Sequence, residues 1–344
     1  MRIVLLDKED FSYEDLLNKP LAGAQTAFIE LVNAFSEMGH EVSVRNNCVI
    51  EYRSKSIDWC NLSNASIPNG DIYIANRSTS LLPLIPAGGK VYFWLHNEGK
   101  YLLKRSNLIQ LFRYYPILVY SGNYHRSSFW LWWLFQFRII PYGLSDKFVK
   151  KEAINVAPPP KVIFTSNPLR SLEWLVDRWK IIKRSVPQAE LYVFSGPITY
   201  GTWGNSVAFR MNRVIDYVRA NQMHGIVLRD PLPKEKLIDV IRNSRAMLYR
   251  GDKAETFCLA VAEVQAMGLP CVVQDLGSMK ERVIDGVTGF VTKNETDFEH
   301  KAIALLTNDI LWTKMHCELI SNKFYNTWRE SAKMFLTYKS KIQL

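Results

Sequence analysis

One segment concentrates groups able to do chemistry: Glu255-Thr256-Phe257-Cys258-Leu259-Ala260-Val261-Ala262-Glu263. A short apolar run ends near Arg250, and the loop Gly251-Asp252-Lys253-Ala254 leads into a stretch that reads as a helix. Glu255 falls in the loop or first turn and Glu263 further along the helix. Between them, the amides of Phe257, Cys258 and Leu259 fall where backbone N–H groups have no intrahelical partner. Such amides, together with the helix dipole, suit a pyrophosphate. A carboxylate on either side could hold hydroxyls, one on a sugar and one on a ribose. The same residues also fit a plainer arrangement, with Glu255 as an acid at a helix start and Glu263 solvated.

His96 is the second group of interest. It follows the apolar run Val91-Tyr92-Phe93-Trp94-Leu95 and precedes Asn97-Glu98-Gly99. A histidine at the end of a buried strand can donate to a sugar hydroxyl or stabilise charge at a reacting centre. It can equally be a satisfied structural side chain. The other histidines, at 40, 125, 224, 300 and 316, have no comparable context.

These groups need elements to position them. Short apolar runs alternate with amphipathic stretches along the whole chain. Ile3–Leu6 reads as a strand, and Ala24 to Met38 as a helix ended by Gly39 in a left-handed cap. Glu41–Val44 follows as a strand, and such strand–helix–strand units stack into parallel sheets. Further strands are expected at Asp71–Ala75, Lys90–Leu95, Pro116–Ser121 and Phe137–Ile140. The run Val156-Ala157-Pro158-Pro159-Pro160 can continue neither a helix nor a central strand and reads as a stiff linker. After it come strands at Lys161–Ser166, Glu190–Gly196, Gly225–Asp230, Ala246–Arg250, Cys271–Gln274 and Gly289–Thr292. Helices are expected at Leu172–Ser185, Ser206–Ala220, Lys234–Asn243, Leu259–Met267 and Asp297–Thr307, and over Phe324–Tyr338 in the tail. The fold class implied is α/β, with two doubly wound Rossmann-like domains. In such sheets ligands bind outside the carboxyl ends of the strands, so the loops after strands should carry the chemistry.

The segment from Glu255 to Glu263 resembles the Glu-x7-Glu motif of retaining, nucleotide-sugar-dependent glycosyltransferases of group 1 (family 4-like) with the GT-B fold. It continues as theirs does, through Val264-Gln265-Ala266-Met267-Gly268-Leu269-Pro270-Cys271-Val272-Val273, then Asp275-Leu276-Gly277-Ser278, Glu281 and Asp285-Gly286-Val287-Thr288-Gly289-Phe290. In the first half, Gly23-Ala24-Gln25 resembles the family's glycine loop, and Ile140-Pro141-Tyr142-Gly143-Leu144 with Phe148 the segment closing the first domain. The tail around Trp328 resembles the segment that crosses back to it. The resemblance covers nearly the whole chain and is strongest from Lys161 to Thr292. It implies an acceptor-binding domain over 1–155, a nucleotide-sugar-binding domain over 156–320, and a C-terminal helix over 321–344 that returns to the first domain, the two domains facing across a cleft.

The resemblance also implies roles. Glu263 would bind ribose hydroxyls and Glu255 would face the transferred sugar. The amides of Phe257, Cys258 and Leu259 would cradle the donor's phosphates and hydroxyls. Gly23 would let the first loop approach the diphosphate without a clashing Cβ, although a turn glycine accounts for it as well. The family has a histidine in a loop matching that of His96, which makes His96 and Glu255 the catalytic candidates. In Thr165-Ser166-Asn167-Pro168-Leu169-Arg170-Ser171, Arg170 takes the place of the family's Lys, and Asn167 stands where its Arg is expected. That departure leaves one cation where two are usual, and Arg250 and Lys253 are the candidates to make up the charge. An Arg at a helix start is telling, because the dipole disfavours it there. Gly196, in Ser195-Gly196-Pro197, resembles the glycine beside the diphosphate, and Asp230-Pro231-Leu232-Pro233 lies where the family holds the base.

The implied reaction moves a sugar from a nucleotide-diphosphate donor, UDP-linked in this reading, to a glycan or lipid-linked acceptor in surface polysaccharide or glycolipid biosynthesis. Two alternatives stand beside it: a nucleotide-sugar epimerase on the same fold, and a non-catalytic membrane-peripheral partner in glycan assembly. No Asp-x-Asp pair follows a strand, which favours metal-independent departure of the diphosphate and no cofactor beyond the co-substrate. The lack of a G-x-G-x-x-G turn argues against a nicotinamide enzyme.

Composition agrees with this reading. The chain has 344 residues, 48% of them hydrophobic, and a formal net charge of +10, which favours anionic partners. Five widely spaced cysteines without a C-x-x-C pair fit neither a disulfide framework nor structural zinc, and point to reduced thiols in a cytoplasm. The short apolar start reads as a strand and not a signal peptide. Lys100 to Tyr115 resembles a basic amphipathic helix, and Phe129-Trp130-Leu131-Trp132-Trp133-Leu134-Phe135 is densely aromatic. Either these residues pack as core, or they contact an anionic membrane surface on its inner face. A nucleic-acid partner is not expected, since no recognition fold accompanies the patch.

Overall fold

The computed structural model describes residues 1–149 and 153–337. Residue contacts divide the chain into two units. The first gathers Met1–Asp15, Ala24–Gly143 and the segment from Asn326 on; the second gathers Leu16–Gly23 and Leu144–Tyr325. The division therefore falls ahead of the proline run at 158–160.

The first unit is built on strands β1 (Arg2–Leu6), β2 (Glu41–Asn46), β3 (Tyr52–Arg53), β4 (Ile57–Asn61), β5 (Ile72–Asn76), β6 (Lys90–Trp94), β7 (Ile117–Tyr120) and β8 (Phe137–Ile139). Their order in the sheet is β3-β4-β2-β1-β5-β6-β7-β8. Every pair is parallel except β3 with β4. Strand β1 lies between β2 and β5, and Ile3, Val4, Leu5 and Leu6 are each 0% exposed. An unbroken aliphatic run is what a central parallel strand covered on both faces requires. Helix α1 (Gly23–Glu37) buries Ala27, Phe28, Leu31, Val32 and Phe35, and Gly39 ends the turn after it at φ +83°. The β3–β4 hairpin was not foreseen. Its apolar positions are broken by Asp58 and flanked by Ser and Lys, so too little alternation remains to read as strand. Tertiary burial of Trp59, whose Nε1 donates to Asn46 Oδ1 at 2.8 Å, supplies the missing drive.

The second unit contains strands β9 (Lys161–Phe164), β10 (Glu190–Phe194), β11 (Ile226–Arg229), β12 (Ala246–Tyr249), β13 (Cys271–Gln274) and β14 (Gly289–Thr292). They run in the order β11-β10-β9-β12-β13-β14, all parallel. Each matches an expected strand. The reversal of strand order at β9/β12 is the switch point at which doubly wound sheets open a crevice. The connecting helices are α2 (Arg105–Tyr114) in the first unit, then α3 (Leu172–Ser185), α4 (Gly201–Ala220), α5 (Lys234–Arg242), α6 (Leu259–Ala266), α7 (Glu295–Thr307) and α8 (Asp309–Ser321). Helix α4 starts ahead of the expected Ser206. Gly201 and Gly204 read as turn residues in sequence, but Gly204 is needed inside the helix because a Cβ there would overlap Pro197 O.

The tail returns to the first unit as α9 (Trp328–Leu336). The expected Phe324–Tyr338 helix is shorter, preceded by the extended pair Asn326–Thr327, and Tyr338 lies outside the described residues. Thr327 and Glu330 form a capping box that fixes the start of α9. Phe335 packs edge-on against Tyr92 at 5.4 Å and Trp94 at 5.8 Å, and Ser331 Oγ donates to Pro141 O at 2.7 Å. Gly143 makes the approach possible, since a Cβ there would overlap the Trp328 backbone. The aromatic stretch splits: Phe129 and Phe135 are buried, whereas Trp130 and Trp133 are 63% and 62% exposed. Among the described residues, no helix is long and apolar enough to cross a membrane.

Candidate functional site

The site is built at the carboxyl edge of the second sheet. Strand β12 ends at Tyr249, and its loop turns into α6 through Phe257 and Cys258. Cys258 caps the helix in the left-handed region, at φ 66° and ψ 77°, where glycine is the undemanding residue. The first intrahelical bond is Ala262 N to Cys258 O at 3.2 Å, so the amides of Cys258 and Leu259 precede the ladder and lie at the positive end of the helix. The side chains of Phe257, Cys258 and Leu259 are buried, and Arg282 stacks on the Phe257 ring at 4.1 Å. Burial and the neighbouring Glu255 push the Cys258 thiol well up, so it behaves as a small apolar group.

Glu255 is half-buried and held from below. Tyr249, fully buried, donates its hydroxyl to Glu255 Oε2 at 2.7 Å. Burial first, and Glu255 second, hold that phenol well above its ordinary range, so it remains a donor. Gly277 closes the other side: it lies at φ +61°, and a Cβ on it would meet Asp252 O and Glu255 O. Tyr200, on the turn after β10, faces the same group, and burial and then Glu255 raise its phenol. Arg170 comes in from the loop after β9 and pairs with Asp252 Oδ1 at 2.7 Å. Burial works against its charge, but Glu255, Tyr249 and Asp252 outweigh it and raise the guanidinium. A cation, a carboxylate and two protonated phenols thus converge beside the N-terminus of α6.

Glu263, further along α6, is 5% exposed. It is not solvated: Lys234 Nζ reaches its Oε1 at 2.7 Å and Oε2 at 2.5 Å. Gly23 groups with this unit, where a Cβ added to it would sit 3.5 Å from Leu259 Cδ1, in ordinary contact. Gly23 therefore comes to the entry of α6, and steric clash with protein is not the reason for a glycine there. At Gly196 the backbone is extended, and a Cβ would sit 3.4 Å from the Pro231 ring, so no conformational demand singles it out.

Three further candidates, Asn167, Arg250 and Lys253, lie as follows. Asn167 turns inward: its Oδ1 accepts from Leu169 N at 2.9 Å and its carbonyl from Arg170 N at 2.9 Å, so it shapes the turn that presents Arg170. Arg250 gives its Nε to Gln274 Oε1 at 2.9 Å and stacks on Trp174 at 4.8 Å, which places it in a different cluster from Arg170. Lys253 sits exposed on the loop. The residues that sequence reasoning missed are Lys234, Tyr249, Tyr200 and Asp252. Lys234 carried the same signal as Arg170, a cation at a helix start. Tyr249 read only as the end of an apolar strand.

His96 lies in the first unit at the carboxyl end of β6, 7% exposed. Both ring nitrogens are engaged. Asn76 donates its Nδ2 to Asp7 Oδ2, an acceptor only, and this fixes the amide with Oδ1 toward His96. His96 Nε2 must then carry the proton and donate to Asn76 Oδ1 at 2.6 Å, while Nδ1 accepts from Tyr142 OH at 2.5 Å. Burial, then Arg77 and His125, push the imidazole well below its ordinary range, so it is neutral. The fold gives His96 a place in a buried relay. Arg77, left-handed at φ 62°, braces that relay by pairing with Asp7 at 2.6 Å and Glu9 at 3.0 Å.

The family model described as "Glycosyl transferases group 1" matches residues 159–308. A search of curated protein sequences finds no match. Solved structures resemble the chain along its length. A sucrose-phosphate synthase from Thermosynechococcus elongatus superposes with a TM-score of 0.76 at 14% identity, covering 97% of this chain and 96% of that one. Anabaena HepE in complex with UDP and glucose gives 0.73 at 12% identity, with 98% and 99% coverage. The pneumococcal O-GlcNAc transferase GtfA in complex with UDP and GlcNAc gives 0.72 at 10% identity, again with 98% and 99% coverage.

Proposed function

We propose that this chain, a GT-B fold whose residues 159–308 form a group 1 glycosyltransferase domain, transfers a sugar from a UDP-linked donor to a glycan or lipid-linked acceptor with retention of anomeric configuration. The observation that carries the reading is the N-terminus of α6 with Glu255 and Arg170 beside it and Glu263 further along the same helix. In this reading the amides of Phe257, Cys258 and Leu259 and the guanidinium of Arg170 take the diphosphate. Negative charge grows on that group as the glycosidic bond breaks, and donors preorganised in a poorly hydrated site stabilise it without reorganising. Glu263 accepts from the ribose hydroxyls. Glu255, fixed through Oε2 by Tyr249, offers Oε1 to a hydroxyl of the transferred sugar. The acceptor binds the first unit and attacks from the face that the diphosphate leaves. His96 acts from there as a neutral, fixed group and not as an acid. The reaction uses no metal and no cofactor beyond the nucleotide sugar.

The first unit also supports contact with an anionic membrane surface. Ile109, Phe112 and Tyr115 on and after α2 are each at least half exposed, as are Trp130 and Trp133, and Lys104, Arg105 and Arg113 lie among them. Aromatic and aliphatic side chains with interleaved cations are what an interfacial surface requires. That placement would bring the enzyme to a lipid-linked acceptor in polysaccharide or glycolipid assembly.

The test is a thermal-shift panel of UDP-, GDP- and ADP-sugars followed by product analysis. A UDP-sugar at a hundredfold its Kd should stabilise the protein by about 2.7 kcal/mol. NMR should then show an acceptor product whose anomeric configuration matches that of the donor. An inverted product refutes retention. An epimerised nucleotide sugar formed without acceptor refutes transfer.

A further inference from the structure

We propose that Lys234 is a positioning residue for Glu263, and that through it the second unit distinguishes ribonucleotides from 2′-deoxyribonucleotides. The inference rests on the reading of Glu263 as the ribose contact.

Lys234 is the first residue of α5, a position at which the helix dipole disfavours a cation. The acid beside it in the first turn, Glu235, pairs with Lys147 and not with Lys234. The Lys234 stem passes the Phe148 ring, with Nζ 5.9 Å from the centroid, and the ammonium meets both oxygens of Glu263. The two side chains are 19% and 7% exposed. A carboxylate at that depth needs a counter-charge, because burying it alone is expensive.

The geometry does more than neutralise. The terminal torsion of a glutamate is broad, and a lone carboxylate samples many planes. An ammonium has three donors and no acceptor. Spanning both oxygens uses two of those donors and fixes the carboxylate plane, which sets the directions of the remaining lone pairs. A vicinal diol needs two acceptors at a set spacing and orientation, so the ammonium prepares Glu263 for a ribose. A nucleotide lacking the 2′-hydroxyl gains little from that preparation.

The experiment is titration calorimetry of UDP and 2′-deoxy-UDP against wild type, Lys234→Met, Lys234→Arg and Glu263→Gln, with melting temperatures alongside. Wild type should favour UDP by roughly tenfold, the equivalent of one good hydrogen bond. Lys234→Met should lose that preference with 2′-deoxy-UDP affinity unchanged, and Lys234→Arg should keep most of it. Should Lys234→Met fail to fold, Lys234→Gln, which keeps a donor but cannot hold both carboxylate oxygens, must likewise lose the preference. Equal losses for both nucleotides would make Lys234 a phosphate contact, tighter UDP binding would make it a competitor, and an undiminished preference would make it structural; each overturns the proposal. A wild type that does not bind UDP, or shows no preference between the two nucleotides, refutes the ribose role of Glu263 itself, and this proposal with it.

Discussion

Acid should loosen the first unit through His125, and the size of the effect follows from how that ring is held. His125 is fully buried in the turn after β7. Its Nδ1 accepts from Ser121 N at 3.1 Å, a backbone donor, so the proton sits on Nε2, which donates to Asn97 O at 2.9 Å. A proton added at Nδ1 would break the first bond. Burial, only partly offset by the Asn97 bond, lowers the imidazole to about 4. The unfolded chain binds that proton near pH 6.5, so between about 6.5 and about 4 the unfolded state carries more protons and stability falls as pH falls. Above pH 6.5 both states are neutral and the group contributes no slope. Integrating the linkage from pH 7.5 to 5 gives a loss of about 2 kcal/mol from this residue. His96 is lowered for the same first reason and adds to the slope in the same window. Urea melts at pH 7.5, 6.5, 5.5 and 5.0 should show this fall in wild type. His125→Phe should be less stable at pH 7.5, by about 1–3 kcal/mol for the stranded groups at Ser121 and Asn97, yet should lose about 2 kcal/mol less than wild type on going to pH 5. Parallel curves for the two proteins would refute the neutral, Nε2-protonated assignment.

Glu263→Ala should weaken UDP binding by about 1–3 kcal/mol by calorimetry, and an unchanged Kd would remove Glu263 from the donor site. His96→Ala should lower kcat more than it raises the UDP Kd, since its hydrogen bonds lie in the first unit; equal kcat would remove it from the reaction. Gly143→Ala forces a methyl into the Trp328 backbone and should cost at least about 3 kcal/mol in urea melts, whereas a loss under 1 kcal/mol would mean α9 is not seated there as described. Trp130→Glu/Trp133→Glu should reduce cosedimentation with phosphatidylglycerol vesicles while leaving UDP binding intact; undiminished cosedimentation would refute the membrane surface.

The order of α/β elements was legible without coordinates because burial on both faces forces unbroken aliphatic runs, and helices between them must show a 3.6-residue period. Ile3–Leu6, Leu172–Ser185 and the strands of the second sheet are read that way, and the place of the start of α6 follows from a strand, a loop and a helix in succession. The partners of the functional side chains were not legible. Lys234 meets Glu263, Tyr249 meets Glu255, Arg250 turns to Trp174, and His96 closes a relay with Asn76 and Tyr142. Each pair joins different strands, helices or loops, and the order of strands in the sheet decides which ends become neighbours. Local sequence sets where a charge can begin; only packing decides which opposite charge or hydrogen-bond acceptor it finds once water has been excluded.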